Sequence, residues 1–175
     1  TGGATAAETL PLISLQNGLD NERAALRRFA RVSGAAVWMP SSYLRPGEVV
    51  APGEPMVGAF WLGRFPGGLD PDAGRWAADL RRANFVVRLV EDLPRWKAGK
   101  LLSNLGNAVD ALCGSDADTG AVVRRARAEG VAVFAAAGID AVSADEDAAR
   151  RGDAFTIRIA AADLAIAESV LSRLA

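Results

Sequence analysis

A lysine and two asparagines lie at helical spacing in the second half of the chain. All but two of the 20 basic residues are arginine, and the two lysines, Lys97 and Lys100, are close neighbours. On a helix, Lys100, Asn104 and Asn107 follow one another at i, i+4 and i+7, so their side chains share one face. A lysine can release a proton when its surroundings lower its pKa, whereas arginine stays charged. This pattern predicts a site that binds a polar group and donates a proton to it, the alternative being two ordinary solvated lysines.

A second polar group directly follows an apolar run near the start of the chain. The run at 11–15 predicts a short strand, and Gln-Asn-Gly at 16–18 predicts a turn after it. Strand ends are where open α/β sheets present residues to ligands, although an Asn-Gly turn with no binding role is the alternative. Asn17 on one side and Lys100 with Asn104 on the other would form a cleft that polarises a carbonyl group. This chemistry fits ketone reduction by hydride from a cofactor.

Composition excludes several other classes of function. The 175 residues have a formal net charge of −1 and half of them are hydrophobic, so the chain is globular and offers no basic surface to nucleic acid. No apolar run is long enough to cross a bilayer, and the segment beginning at Thr1 is no signal peptide. We therefore expect a cytoplasmic protein that acts on a small molecule, without nucleic-acid or membrane partners.

The chain contains no histidine and a single cysteine, Cys113. The absence of histidine excludes a Ser-His-Asp or Cys-His relay and a histidine-bearing zinc site, and we expect no metal. The single cysteine excludes an internal disulfide and fits a reducing compartment. We expect Cys113 to be a small buried hydrophobic residue near the end of a helix.

The elements that position these residues change in type near Asp92. Before it, the patterns predict strands at 11–15, 35–39, 47–52, 57–62 and 86–90, with helices at 21–30 and 72–83. After it, they predict helices at 96–112, 119–129, 144–151 and 161–174, the second ended by Gly130. The run 131–138 fits a helix or a buried strand. The fold class is therefore α/β followed by all-α.

Two further groups of residues receive structural interpretations. Asp145, Glu146 and Asp147 begin a predicted helix, where acidic side chains usually complement the helix dipole and face water, so we favour that over a cation site. The four tryptophans are scattered at unrelated spacings and are expected to anchor the core or an interface.

Three blocks of sequence occur in a distinctive order. They are Leu-Ile-Ser-Leu-Gln-Asn-Gly-Leu-Asp-Asn-Glu at 12–22, Arg-Pro-Gly-Glu-Val-Val at 45–50 and Asp-Leu-Pro-Arg-Trp-Lys-Ala-Gly-Lys-Leu-Leu-Ser-Asn-Leu-Gly-Asn-Ala at 92–108. Their order and spacing resemble the ketopantoate reductase (2-dehydropantoate 2-reductase) family over residues 11–114. The resemblance implies the C-terminal part of a Rossmann-like nucleotide-binding domain in residues 1–92 and a helical substrate and dimerisation domain in residues 93–175.

The resemblance also implies a reaction and a set of site residues. The reaction is the NADPH-dependent reduction of 2-dehydropantoate to pantoate, on the route to pantothenate and coenzyme A, in an enzyme that can form a homodimer. Lys100 matches the catalytic lysine, which engages the 2-keto oxygen of the substrate. Asn104 matches a substrate-binding asparagine, and Asn17 matches an asparagine close to the cofactor. Asn107 is a second substrate-binding candidate, although the family often has this asparagine one residue later, where this chain has Ala108.

Two features of the family have no counterpart in the sequence. No G-x-G-x-x-G follows a strand, so we expect the chain to begin inside the nucleotide-binding domain. The family's late catalytic acid and serine have no matching motif either, and Glu168 and Ser169 stay unassigned. Two alternatives therefore remain open: a reductase of another small 2-keto acid, and a truncated, non-catalytic helical interaction module.

Overall fold

The computed structural model describes residues 3–113, 118–153 and 156–157, and a four-stranded mixed sheet lies at its centre. The elements, in chain order, are α1 (Ala6–Thr9), β1 (Leu12–Ser14), α2 (Asn21–Ala25), β2 (Val32–Trp38), β3 (Ser42–Arg45), β4 (Glu48–Val50), β5 (Gly53–Glu54), β6 (Gly58–Arg64), α3 (Ala73–Arg82), β7 (Phe85–Leu89), α4 (Leu93–Asn104), α5 (Asn107–Cys113), α6 (Gly120–Ala136), α7 (Ala144–Arg151) and β8 (Thr156–Ile157).

The strand order of the central sheet is β1-β2-β6-β7. β1 runs parallel to β2, β2 antiparallel to β6, and β6 parallel to β7. Six of the seven residues of β6 are buried, and they include residues that point to either face of the sheet. This burial is expected for a strand that is covered on both sides. β3 pairs with β4 and β5 with β8 in two small antiparallel sheets. The predicted strands of the central sheet are thus confirmed, while β3 was not predicted.

One face of the sheet packs against α3. Ala35, Phe60 and Leu62 point to this face and form a buried cluster with Ala77 of α3 and Val87 of β7. Alternate residues along β2 and β6 point to opposite faces, so their neighbours Ala36 and Trp61 belong to the other side of the sheet. The predicted α/β arrangement of the first part of the chain is therefore confirmed.

The other face packs against α4 and the loop before α7. Trp61 is fully buried there, and its ring meets the ring of Trp96 edge-on with centroids 6.0 Å apart. Leu93 of α4 and Val142 belong to the same cluster. The segment after Asp92 therefore shares a core with the sheet, and the division into domains at residue 92 stays a prediction.

The single helix predicted at 96–112 is wrong, because two helices occupy this region. α4 begins earlier, at Leu93, and ends at Asn104, and α5 begins at Asn107. The interruption falls on Leu105 and Gly106, and glycine and asparagine are poor helix formers. A Cβ at Gly106 would also lie only 3.2 Å from the Val123 side chain, so this glycine allows close packing.

Gly130 does not end a helix, contrary to the prediction. α6 runs through it to Ala136, which also settles the ambiguous run 131–138 as mostly helical. A Cβ at Gly130 would lie 2.8 Å from side-chain atoms of Leu102 and Leu105, so the glycine lets two helices approach closely. Gly138, with a φ of 66°, follows the helix instead.

Smaller differences concern α2, Cys113 and the end of the chain. α2 ends at Ala25, and the hydrogen bond from Arg28 N to Ala25 O spans three residues, as in a tighter 3₁₀ turn. Cys113 is exposed, so its predicted burial is wrong. The predicted helix at 161–174, with Glu168 and Ser169, lies outside the described residues.

Candidate active site

α4 carries the central side chains of the site. Pro94 lies in its first turn, where a missing backbone N–H leaves no helical hydrogen bond unmade. Leu93, Trp96 and Ala98 turn towards the core and fix the rotation of the helix. That rotation directs Lys100 and Asn104, one turn further on, to the partly exposed side.

Lys100 is half-buried and held by two neighbours. Its ammonium Nζ donates a hydrogen bond to Asn104 Oδ1 at 3.0 Å. The same Nζ lies 3.5 Å from the centroid of the Trp38 ring, in a cation–π contact. The predicted pairing of Lys100 and Asn104 on one helix face is present.

The pKa of Lys100 is lowered from 10.5 to about 8. Burial is the largest cause, because a partly desolvated ammonium is less stable in its charged form. The Asp147 carboxylate acts in the opposite direction, and the Arg151 guanidinium lowers the pKa further. Lys100 can therefore exchange a proton at a pH where an ordinary lysine stays charged.

A cavity of about 820 Å³ opens beside this lysine. Lys100, Asn104 and Asn107 all line it, so the structure brings these three predicted residues together even though the helix breaks between Asn104 and Asn107. Apolar side chains from α6 and the following loop, among them Val131 and Phe134, form the opposite wall. A volume of this size accommodates a small-molecule ligand.

Asn17 lies on the other side of Lys100, at the end of β1. It is exposed and lines a gap of about 10 Å³ whose opposite side is formed by Lys97, Lys100 and Asn104. A gap of this size holds about one water molecule. Asn17 is therefore near the predicted lysine and asparagine, but it does not line the larger cavity.

Lys97 joins the strand-end turn to α4. Its ammonium Nζ forms a buried ion pair with Glu22 and donates a hydrogen bond to the carbonyl oxygen of Gln16 at 2.9 Å. The side chains of Lys97 and Glu22 are 4% and 0% exposed. Lys97 is thus a buried structural residue, and the interpretation of both lysines as solvated surface residues is wrong.

Sequence reasoning missed three residues of the site. Trp38, the last residue of β2, and Arg127 and Arg151, from α6 and α7, all line the large cavity. The guanidinium carbon of Arg151 lies 4.4 Å from the Trp38 ring centroid. Arginine is so frequent in this chain that no compositional signal distinguished these two residues.

The acidic cluster at the start of α7 has a structural role in place of the expected solvent-facing one. Asp147 is buried, and its Oδ1 accepts a hydrogen bond from Trp61 Nε1 at 2.8 Å. Glu146 forms a bidentate ion pair with Arg95 at 2.7 and 2.5 Å, and this guanidinium lowers the pKa of the Glu146 carboxyl. Asp145 is exposed, as predicted.

No group of acidic, histidine or cysteine side chains that could hold a metal ion occurs among the described residues. Within the same residues, no helix is both long enough and apolar enough to cross a membrane.

Solved structures share this architecture. The 2-dehydropantoate 2-reductase from Methylococcus capsulatus matches with a TM-score of 0.64 and 21% sequence identity, covering 88% of this chain and 55% of that one. The PanE/ApbA family ketopantoate reductase from Ralstonia eutropha JMP134 matches with a TM-score of 0.62 and 20% identity, covering 93% of this chain and 59% of that one. The fold is shared with ketopantoate reductases. At this level of identity the comparison concerns the fold, and the resemblance recognised in the sequence is confirmed to that extent.

The chain spans between 55% and 59% of the length of these two structures. No protein-family model matches the sequence, and no curated protein matches it.

Proposed function

We propose that this chain provides the carbonyl-reducing site of an NADPH-dependent reductase that converts 2-dehydropantoate to pantoate. One observation carries the proposal: a half-buried lysine with a pKa of about 8 and two asparagines line one wall of a cavity large enough for the substrate. The fold shared with two ketopantoate reductases supports the same conclusion. The sequence blocks at 12–22 and 92–108 support it independently.

In this proposal Lys100 is the catalytic acid. Reduction of a ketone adds a hydride to the carbonyl carbon and a proton to the oxygen, giving a secondary alcohol. Lys100 Nζ hydrogen-bonds the keto oxygen, stabilises its developing negative charge and transfers the proton, which it regains from water. Asn104 holds the lysine amine through Oδ1, and Asn107 binds a second oxygen of the substrate.

The cofactor is NADPH, which supplies the hydride when bound. The gap of about 10 Å³ beside Asn17 is too small for a nicotinamide ring, whereas the adjoining cavity has the room. We assign Asn17, exposed at the strand end, to the cofactor side of the site, across the narrow gap from Lys100 and Asn104. The sequence has no G-x-G-x-x-G loop, so the residues present fit the nicotinamide end and provide no pyrophosphate loop. Residues 1–92 are accordingly proposed as the end of the nucleotide-binding domain and residues 93–175 as the helical domain.

The test is the loss of NADPH absorbance with 2-dehydropantoate, run on protein whose intact mass is known. Lys100→Met is expected to lower kcat by about 100-fold or more, because both proton transfer and charge stabilisation are lost. Arg28→Met, which removes an exposed cation that does not line the cavity, serves as the matched control and is expected to keep normal turnover. Normal turnover by Lys100→Met would reject the assignment.

A substrate panel separates the two alternatives. Faster reduction of a different small 2-oxo acid would identify another member of the same reaction class. Absence of both NADPH binding and turnover at the mass of the 175 residues would identify this polypeptide as a non-catalytic module.

A further inference from the structure

The large cavity contains a second cation close to Lys100. Arg151 is the last residue of α7, and its guanidinium carbon lies 4.4 Å from the Trp38 ring centroid. Lys100 Nζ lies 3.5 Å from the same centroid. Both cations therefore contact one indole ring, and both line the cavity.

The guanidinium of Arg151 retains donors for a ligand. Its ion pair with Asp147 is 4.0 Å long, beyond hydrogen-bonding distance. No hydrogen bond occupies the Arg151 guanidinium within residues 3–113, 118–153 and 156–157. Asp147 is already engaged through Oδ1 by Trp61. An arginine with five N–H donors, held against a ring but not hydrogen-bonded, is suited to bind an anion.

Arg127 is the other arginine that lines this cavity. It differs from Arg151 in its exposure and in its hydrogen bonding. It is exposed, and its Nη2 donates a hydrogen bond to the backbone carbonyl of Ser103 at 3.3 Å. Arg151 is therefore the better candidate for anion binding. Arg150, the exposed residue before it on α7, does not line the cavity and is the matched control.

We propose that Arg151 binds the carboxylate of the substrate, so that one 2-oxo acid bridges Arg151 and Lys100 beside Trp38. This inference rests on the proposed function and names the residue that selects for an acid. The distances of Lys100 Nζ and the Arg151 guanidinium carbon to one ring centroid, 3.5 and 4.4 Å, place the two no more than about 8 Å apart. A 2-oxo acid has its keto and carboxylate oxygens on neighbouring carbons, and with a hydrogen bond of about 2.8 Å at each end it would span such a separation. The planar guanidinium fork matches a carboxylate bidentately, which a lysine cannot do.

The apolar walls of the cavity favour a particular side chain on that 2-oxo acid. Val131, Phe134 and Ile139 line the side provided by α6 and the loop after it. These side chains would contact an apolar, branched group on the carbon next to the keto group. The expected ligand class is therefore a 2-oxo acid with a branched aliphatic side chain.

Binding is measured by calorimetry on the full chain, with 2-oxo-3-methylbutanoate and its methyl ester as probes. The acid is expected to bind at least about 10-fold more tightly than the ester, which lacks the charge. Arg151→Gln is expected to weaken binding of the acid by about 10- to 100-fold and to leave the ester unchanged. Arg150→Gln is expected to stay within about twofold of the original protein for both probes, since its charge is exposed and lies outside the cavity.

Arg151→Lys keeps the charge without the fork and is expected to fall between the original protein and Arg151→Gln. Thermal unfolding shows whether Arg151→Gln folds. If it does not, Arg151→Lys still tests the proposal. The proposal is overturned if the acid binds Arg151→Gln or Arg151→Lys as tightly as the original protein. Equal losses in Arg150→Gln, or no binding of the acid by the original protein, would overturn it too.

NADPH oxidation separates this inference from the proposed function. Turnover of a 2-oxo acid with an unchanged KM in Arg151→Gln would reject the carboxylate site and leave the reductase in place. Arg151-dependent binding of the acid without NADPH oxidation would keep the carboxylate site and reject the reductase.

Discussion

Lys97 and Glu22 form a buried ion pair that connects α4 to the segment after β1. Lys97 also donates a hydrogen bond to the Gln16 carbonyl oxygen, directly before Asn17. Gly34 of β2 makes room for this pair, since a Cβ there would overlap the Glu22 carboxylate. The proposed cofactor residue Asn17 and the proposed catalytic residue Lys100, three positions after Lys97, are thereby held on opposite sides of one narrow gap.

Breaking this pair on one side is predicted to destabilise the fold strongly. Lys97→Met leaves the Glu22 carboxylate buried without its partner, so the free energy of unfolding is expected to fall by about 3–5 kcal/mol. Urea denaturation measures the change. Arg23→Ala, which breaks an exposed ion pair with Asp20, is the control and is expected to cost less than about 1 kcal/mol.

Removing both charges separates the ion pair from the packing around it. Lys97→Met combined with Glu22→Leu leaves no unpaired charge and is expected to recover much of the stability that Lys97→Met loses. A loss of less than about 1 kcal/mol in Lys97→Met alone would contradict the buried charge pair as the cause.

Features that depend on local sequence spacing could be predicted, whereas features that depend on contacts between distant parts of the chain could not. The spacing of Lys100, Asn104 and Asn107 depends on one helical period, and the structure places all three at one cavity. The burial of Lys97 depends on Glu22, 75 positions away, and that of Asp147 on Trp61, 86 positions away. No local pattern reports such partners, so the sequence left a solvated Lys97 open as an alternative and favoured a solvent-facing Asp147.

The same distinction applies to the glycines. The rule that a glycine follows a helix was sound, but Gly130 and Gly138 both satisfied it in the sequence. The structure distinguishes them by packing: Leu102 and Leu105 lie so close to Gly130 that their side chains would have to move if this residue carried a Cβ. Only the packing of two helices contains that information.

Lys100 is predicted to titrate near pH 8, below its ordinary value of 10.5, because burial disfavours its charged form. Labelling the protein with ¹³C-lysine gives just two sets of side-chain signals, since there are two lysines. The ε-carbon shift of each reports its protonation, and Lys100→Arg assigns the signals. A titration midpoint for Lys100 near 10.5 would contradict the burial seen here.

This low pKa also predicts opposite pH dependences for stability and for reduction. Between pH about 8 and 10.5 the unfolded chain holds a proton on Lys100 that the folded chain has lost, so this residue makes stability rise with pH across that window. Lys100→Met is expected to lack this contribution. The rate of ketone reduction is expected to fall above pH about 8, because the catalytic proton is then absent. A rate that stays level to pH 10 would count against Lys100 as the acid.

Gly99 is predicted to control how closely α4 approaches the loop before α7. A Cβ at this position would overlap the Val142 side chain and lie 2.8 Å from the Val142 carbonyl oxygen. Gly99→Ala is therefore expected to lower the free energy of unfolding by about 1–3 kcal/mol despite the better helix propensity of alanine. Gly74→Ala on α3, where nothing lies within 4 Å, is the control and is expected to stabilise the protein by about 0.5–1 kcal/mol. Equal effects of the two substitutions, measured by urea denaturation, would refute the packing argument.

Asp147 lines the same cavity as Lys100 and is predicted to adjust the proton affinity of that lysine. Its carboxylate raises the pKa of Lys100, whereas Arg151 lowers it. Asp147→Asn keeps an acceptor for Trp61 Nε1 but removes the charge, so the pKa of Lys100 is expected to fall further below 8. Arg151→Gln is expected to shift that pKa in the opposite direction.

The ¹³C-lysine titration measures both shifts, with Asp145→Asn as the control because Asp145 is exposed on the same helix. Asp147→Ala tests the hydrogen bond between Asp147 and Trp61. It leaves the buried Trp61 N–H without its acceptor and is expected to cost about 1–3 kcal/mol of stability, more than Asp147→Asn. If Asp147→Asn left the Lys100 titration where it was, the Asp147 charge would not oppose the lowering of this pKa by burial and Arg151. Asp147 would then be only the hydrogen-bond partner that anchors α7 to the sheet.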